Sequence, residues 1–401
     1  MKLKHIILGA VLLLLFSGIS NAQEESEKLV SHKFKLELEA EYRYFYDKAL
    51  YPGQKSNFPS AAITPEYTAS WNKGYDVITV KPFFRWDVDD KRTHFDLREL
   101  YYQKAKNNWE VSVGLKKIYW GVTESQHLVD IINQTDAVES FDNEQKLGQP
   151  MVQYSRNTNI GTFDLFYLPY FRIRSFPGEK SRLRFPVVIE DDDVTFNNKS
   201  EEWHQDFAFR WSHSIGAFDL GFSNFYGTGR EPIILQNQFG YDFFYDVINQ
   251  TGVDVQVTLG AFLWKIESIY RSSDLQDMFA FAGGLEYTFG NVDGNGLDIG
   301  ILGEYLYDDR GDLALSSAQN DVFFGSRIAF NDVQSTEFLI GGLVDMERSS
   351  NIFSLEASRR VGESWRVEAE GRILSEVSNT EPILYFFRND SFLKLSVFKF
   401  F

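Results

Sequence analysis

The chain has 401 residues, a formal net charge of −17, no cysteine and four methionines. Disulfide frameworks, thiolate metal sites and a lipid anchor on cysteine are thereby excluded, and no basic stretch offers a nucleic-acid backbone a track. Mean hydropathy is negative, yet 16% of residues are aromatic, with 37 Phe and 20 Tyr, more rings than a water-facing surface uses.

Lys2 and Lys4 precede the apolar stretch Ile6 to Phe16, and Ser20-Asn21-Ala22 offers small residues for cleavage, so residues 1–22 read as a secretory signal. Residues 23–401 then form one domain. Beyond the signal there is no run of about 18 apolar residues, which excludes helical spans. Rings at every second position would instead face lipid while the intervening polar residues face an aqueous interior.

That alternation begins at once. From Phe34 to Tyr46 the even positions are Phe34, Leu36, Leu38, Ala40, Tyr42, Tyr44 and Tyr46, and the odd ones begin Lys35, Glu37, Glu39, Glu41 and Arg43. The same period predicts strands over 63–71, 78–86, 109–115, 163–173, 207–211, 218–226 and 253–259. It continues over 262–270, 279–289, 297–307, 322–330, 338–344, 353–357 and 365–373. Pro65, Pro82 and Pro169 fall inside predicted strands and lack the ladder N–H, so bulges are expected there.

Connections alternate in length. Short turns fall at 72–74, 107–108, 157–159, 215–217, 260–261, 291–296, 331–332 and 362–364. Longer polar links span 48–59, 121–149, 175–201, 230–242, 309–319 and 376–382. Short turns on one side and long loops on the other are the signature of an outer-membrane barrel. The predicted fold is all-β, a transmembrane antiparallel up-and-down barrel of about 18 strands, with 16 as the alternative. Trp71, Trp109 and Trp365 flank short turns, as interfacial rings do, and Trp86 and Trp120 are expected in the opposite girdle.

The chain closes on SFLKLSVFKFF, with Leu393, Leu395, Val397 and Phe401 on one face and Lys394, Ser396 and Phe398 on the other. This ending resembles the assembly signal of outer-membrane barrels, although Lys399 stands where an aromatic is common; the resemblance implies handling by the barrel assembly machinery. The alternative is a terminal strand of a soluble sandwich.

Parity assigns the inward wall. Its candidate pore-lining residues are Arg43, Arg85, Arg98, Lys116, Arg172, Arg210, Lys265, Glu267, Arg271, Arg327, Glu368 and Arg372, with Arg174 and Arg366 on the same face. A barrel of about 16–18 strands is wide enough for water. The third outer loop, Gly121 to Gln149, carries too many apolar residues for a loose cap, among them Leu128, Val129, Ile131, Ile132, Val138 and Phe141. It is expected to fold inward, where Glu124, His127, Asp130, Asn133, Asp136 and Glu139 are candidates for a constriction. The alternative is that it only braces the wall.

The segments FDLRELYYQKAKNNWEVSVGLKKIYWG, VDIINQTD and GVDVQVTLGAFLWKIESIYR resemble a group of Gram-negative outer-membrane porin-like barrels, distantly similar to alginate-export and general porin-type barrels. That resemblance implies an outer-membrane channel and supplies no substrate.

Hydrolysis is the competing chemistry, since a barrel lipase pairs Ser with His. The sequence offers Ser125 near His127, and His204 and His213 near Ser212 and Ser214. Asp293-Gly294-Asn295-Gly296 lacks the further ligands of a calcium loop and reads as a turn. The expected function is passive diffusion of small polar or charged solutes, with no enzyme activity, cofactor or metal. Expected partners are outer-membrane lipid and lipopolysaccharide, with a homotrimer open. The alternatives are a structural or adhesive barrel plugged by its loops and a barrel hydrolase.

Overall fold

In the computed structural model the period-two stretches are strands, and eighteen of them make one sheet whose last strand pairs with its first. The structure describes residues 30–190, 194–237, 240–316 and 318–401. The signal sequence expected at 1–22 lies outside these.

The meander runs β1 (Val30–Phe45), β2 (Asn57–Trp71), β3 (Asp76–Trp86), β4 (His94–Lys106), β5 (Trp109–Lys116), β6 (Gln149–Thr158) and β7 (Gly161–Leu168). The short β8 (Val194–Phe196) precedes β9 (Asp206–Ile215) and β10 (Phe218–Thr228). Next come β11 (Ile233–Asn237), β12 (Gly240–Tyr245), β13 (Val247–Leu259), β14 (Phe262–Ser273), β15 (Met278–Phe289) and β16 (Asp298–Asp308). The wall ends with β17 (Asn320–Ala329), β18 (Glu337–Asp345), β19 (Asn351–Val361), β20 (Trp365–Ser375) and β21 (Phe392–Phe400). Strands β8, β11 and β12 form a separate small sheet at the long-loop end. The predicted loops 175–201 and 230–242 thus carry strands of their own.

All wall pairs are antiparallel. An even strand count returns both described ends to the short-turn side. Closure pairs Glu37 to Phe45 of β1 with Phe400 to Phe392 of β21. The seam extends to the last residue: Phe401 N donates to Leu36 O at 3.0 Å and Leu36 N to Phe401 O at 3.3 Å. In hydrocarbon an unpaired edge would expose donors and acceptors that no water can serve.

The pleat sorts the side chains. On β1, Phe34, Leu38, Tyr42 and Tyr44 are exposed to the outside while Glu41, Arg43 and Phe45 are buried inside. On β21, Leu393 and Leu395 face out and Ser396 and Phe398 face in. Repeated round the wall, this gives a belt of outward Leu, Ile, Val, Phe and Tyr, the surface of a membrane-spanning barrel.

The prolines behave in three ways. At Pro82 the register with β4 shifts, from Lys81↔Glu99 to Pro82↔Leu97, so Arg98 is the extra residue of a bulge. Pro65 keeps unbroken register opposite Leu36, while pairing to β3 lapses between Ile63 and Tyr67. Pro169 lies past the end of β7 at Leu168, so the predicted extension to Ile173 does not form. Phe171 instead donates its N–H to Glu202 O at 2.7 Å and sets its ring 4.8 Å from Tyr245. As a consequence Arg172 and Arg174 lie in the fourth outer connection rather than on a wall strand. Trp120 also departs from expectation: it is buried against Phe166 at 5.6 Å, with the Arg210 guanidinium 5.1 Å from its ring. Trp86 is exposed at the long-loop end of β3, as a girdle residue would be.

Candidate functional site

The third outer connection, residues 117–148, crosses the barrel as a strap. Its entry requires glycine: Gly121 has φ +127°, and a Cβ there would fall 2.8 Å from His127 Nδ1 and 2.9 Å from Glu267 Oε1. Glu267 projects inward from β14 and is fully buried. Its carboxylate accepts from Val122 N (2.6 Å), Thr123 N (2.9 Å), Thr123 Oγ1 (2.7 Å) and Val129 N (3.1 Å). Glu304 on β16 does the same for the next turn, accepting from Glu124 N and Ser125 N at 2.8 Å and from Ser125 Oγ at 2.5 Å. Two wall carboxylates thus satisfy the backbone donors of a segment that has no ladder of its own.

Both ends of the strap are also held by ion pairs. Glu124 lies 2.7 Å from Arg327 of β17 and 3.4 Å from Lys265 of β14. Toward β3 and β4, Asp136 lies 2.5 Å from Arg98 and Glu139 2.9 Å from Arg85, which also reaches Glu39 at 2.8 Å. Between these anchors Trp120, Val129, Ile131 and Ile132 are buried with Met151, Phe166, Phe225, Ile269 and Ala280 of the wall. Leu128 packs on a second inward patch, Leu302, Leu306 and Phe323. The strap thus lies on two apolar patches of the inner wall and is pinned around them by charged wall residues.

The six residues singled out in the loop divide. Glu124 and His127 keep 20% and 33% of their side chains exposed. Asp130, Asn133, Asp136 and Glu139 are nearly or fully buried. Asp130 meets Lys146 at 3.2 Å, and burial raises its carboxyl. Asn133 accepts from Ile118 N and donates to Lys116 O and Leu147 O. Burial pushes Asp136 up, but Arg98 and the Ser175 hydroxyl overcome this and hold it below the usual carboxylate range. His127 is 3.3 Å from Glu144 and 3.7 Å from Glu267, which together raise it to about 10.

The wall residues are placed as follows. Arg210 forks onto Asp254 with two bonds of 2.8 Å. Arg271 lies 3.2 Å from Glu231, Arg372 joins Asp142 and Glu356, and Lys116 donates to Gln153 at 2.9 Å. Arg43 sits over the Phe392 ring, and Glu368 pairs with Arg366 at 2.9 Å. Arg172, off the wall, reaches Asp96 at 2.8 Å. Sequence reasoning missed Glu304, although it shares the inward parity of Leu302 and Leu306. It also missed Arg92, a loop residue buried against Glu41 and Asp87 at 2.7 Å.

A cavity of about 710 Å³ is lined by the strap, by the outer loops and by inward residues of β14 to β20. On the wall Arg327 is 38% and Glu356 46% exposed. His94, Asp136 and Glu139 bring potential metal-ligating atoms within 4.8 Å of one another, but Arg98 and Arg85 already bond both carboxylates. The Ser125 hydroxyl donates to Glu304, and His204 pairs with Asp206 at 2.8 Å, so neither is arranged as a Ser–His couple.

No protein-family model matches the sequence and no curated protein matches it. Among solved structures, a mutant of the Rh. blastica porin aligns with 92% of this chain and 100% of its own at 12% identity and a TM-score of 0.47. OmpT of Vibrio cholerae, an outer membrane protein, in a loop L8 deletion form, aligns with 93% of this chain and 100% of its own at 9% identity and a TM-score of 0.46. Likenesses this distant concern the fold alone, and the functional reading rests on the barrel's own geometry.

Proposed function

We propose that the chain is an outer-membrane porin-like channel that passes small polar or charged solutes down their gradients, narrowed by the strap of residues 121–149. The observation that carries this reading is the division of the interior. The strap seals against an apolar patch on one side of the lumen, while the wall of β17 to β20 keeps half-exposed charges on Arg327, Glu356, Arg366 and Glu368. Charges that were meant to be sealed would be paired and buried, and partly solvated ones line a water path.

In this reading Glu124 and His127 face the passage, and Asp130, Asn133, Asp136 and Glu139 keep the strap rigid. Constriction and bracing are then two faces of one segment. The outward apolar belt meets lipid and lipopolysaccharide. Single-channel recording in planar bilayers tests the proposal. Discrete, ohmic steps are expected; a purified, folded barrel that gives none would favour the plugged structural barrel instead.

A further inference from the structure

The cavity lined by the strap and the outer loops has an uneven charge balance. Every carboxylate lining it has a cationic group within 3.3 Å. Every lining cation except one is matched in turn; Arg230, for instance, lies 2.9 Å from Asp206. The exception is Arg174, which among the described residues has no carboxylate within 4.0 Å. Its Nη2 donates to Asn143 Oδ1 at 2.7 Å, while Nε is buried without a partner. Burial depresses its pKa below the usual guanidinium value, so an arriving anion would be favoured by restoring the charged form's lost solvation.

The same cavity also has aromatic lining. Phe176, Phe185 and Phe387 line it, with Phe185 and Phe387 centroids 5.6 Å apart and Phe141 5.8 Å from Phe387. A volume of about 710 Å³, a lining of mixed character and one cation left unmatched among paired charges suit a small-molecule site better than a passage for bare ions. Inorganic anions would satisfy Arg174 but make no use of the aromatic lining, and neutral aromatics would use that lining but leave the guanidinium without a carboxylate.

We propose that this vestibule binds small organic carboxylates with an aromatic or aliphatic body, the carboxylate pairing with Arg174 and the body lying on Phe176, Phe185 and Phe387. The proposal deepens the channel reading and rests on it, since it makes such carboxylates the solutes concentrated at the outer mouth. Binding is nevertheless separable from conduction, because it can be read on the purified barrel in detergent.

The test is calorimetric titration of wild type, R174Q and R174K with phenylacetate, phenylacetamide and acetate, folding being checked by heat-modifiable gel mobility and the far-UV circular dichroism of the barrel. Wild type is expected to bind phenylacetate at least tenfold tighter than either of the other two probes. R174Q should lose about tenfold for phenylacetate and less than twofold for phenylacetamide, with R174K intermediate, as loss of one charge-assisted contact implies. Equal binding of phenylacetate and phenylacetamide by wild type, or undiminished phenylacetate binding by folded R174Q, would overturn the site without bearing on whether the barrel conducts. Acetate binding as tightly as phenylacetate would remove the apolar half of the proposal.

Discussion

Glu124 of the strap and Arg327 of β17 are joined at 2.7 Å, and this pair ties the free side of the strap to the wall beyond the apolar seal. Lys265 stands 3.4 Å from the same carboxylate. The pair is only partly buried, so its charges remain in reach of passing solute. Neutralising one member should therefore shift ion preference in a sign set by the member that remains. E124Q leaves Arg327 and Lys265 in excess and should favour anions; R327Q should favour cations. Reversal potentials across a salt gradient check this, and shifts of the same sign in both variants would contradict the placement.

Glu267 is predicted to be the strap's main fastening. E267A leaves at least two buried N–H donors, on Thr123 and Val129, without their acceptor. At about 1–3 kcal/mol for each unsatisfied group, roughly 3 kcal/mol of local strap stability should go. The eighteen-strand ladder does not depend on it, so the barrel should still fold. Limited proteolysis should cut E267A within 121–149 under conditions that spare wild type, and its open-channel current should be noisier.

The strap and the mouth should respond to opposite ends of the pH scale. His127 is raised to about 10 by Glu144 and Glu267, above its unfolded value near 6.5. Its contribution is full below about pH 6.5 and lost as pH rises through about 10. Glu231 runs the other way: burial would raise it, but Arg310 and Arg271 prevail and hold it at about 2. Its contribution is present above about pH 4.3 and fades as pH falls toward 2. Current noise recorded against pH should grow on the alkaline limb in wild type and lose that limb in H127Q. E231Q should flatten the acid limb alone.

How legible was this in the sequence? The wall was, because a pleat imposes a period that no loop imitates for long: Phe34 to Tyr46 alternates in the chain and in space. The inward fold of the third loop followed from Val129, Ile131 and Ile132, too apolar for solvent. Its internal order did not. Asp136 and Glu139 look like eyelet acids until Arg98 and Arg85, distant in sequence, are seen to bond them. Trp120 misled for a related reason, since parity cannot tell a girdle ring from one turned inward after a strand has ended at Lys116. Alternation also ran on past Pro169, where the apolar residues belong to a loop core with Tyr245 and Phe196. Arg174 was thereby assigned to the wall, and its unmatched charge became visible only with the loops in place.

The seam gives the last prediction. Phe401 makes two hydrogen bonds with Leu36 and leaves its ring exposed on the outside, where Lys399 Nζ lies 5.3 Å from it. Removing Phe401 deletes the terminal pair of bonds, worth about 1–2 kcal/mol net in a closed ladder, and one outward ring worth about 1.5–3 kcal/mol of burial in lipid-like surroundings. The neighbouring pairs from Glu37↔Phe400 onward remain, so the truncated barrel should still close. In detergent-assisted refolding, the heat-modifiable form should appear more slowly and unfold at lower denaturant than wild type. F401L, which keeps both backbone bonds and an apolar side chain, should recover most of the loss. A truncated barrel with an unchanged midpoint would show that the seam is already complete at Phe400.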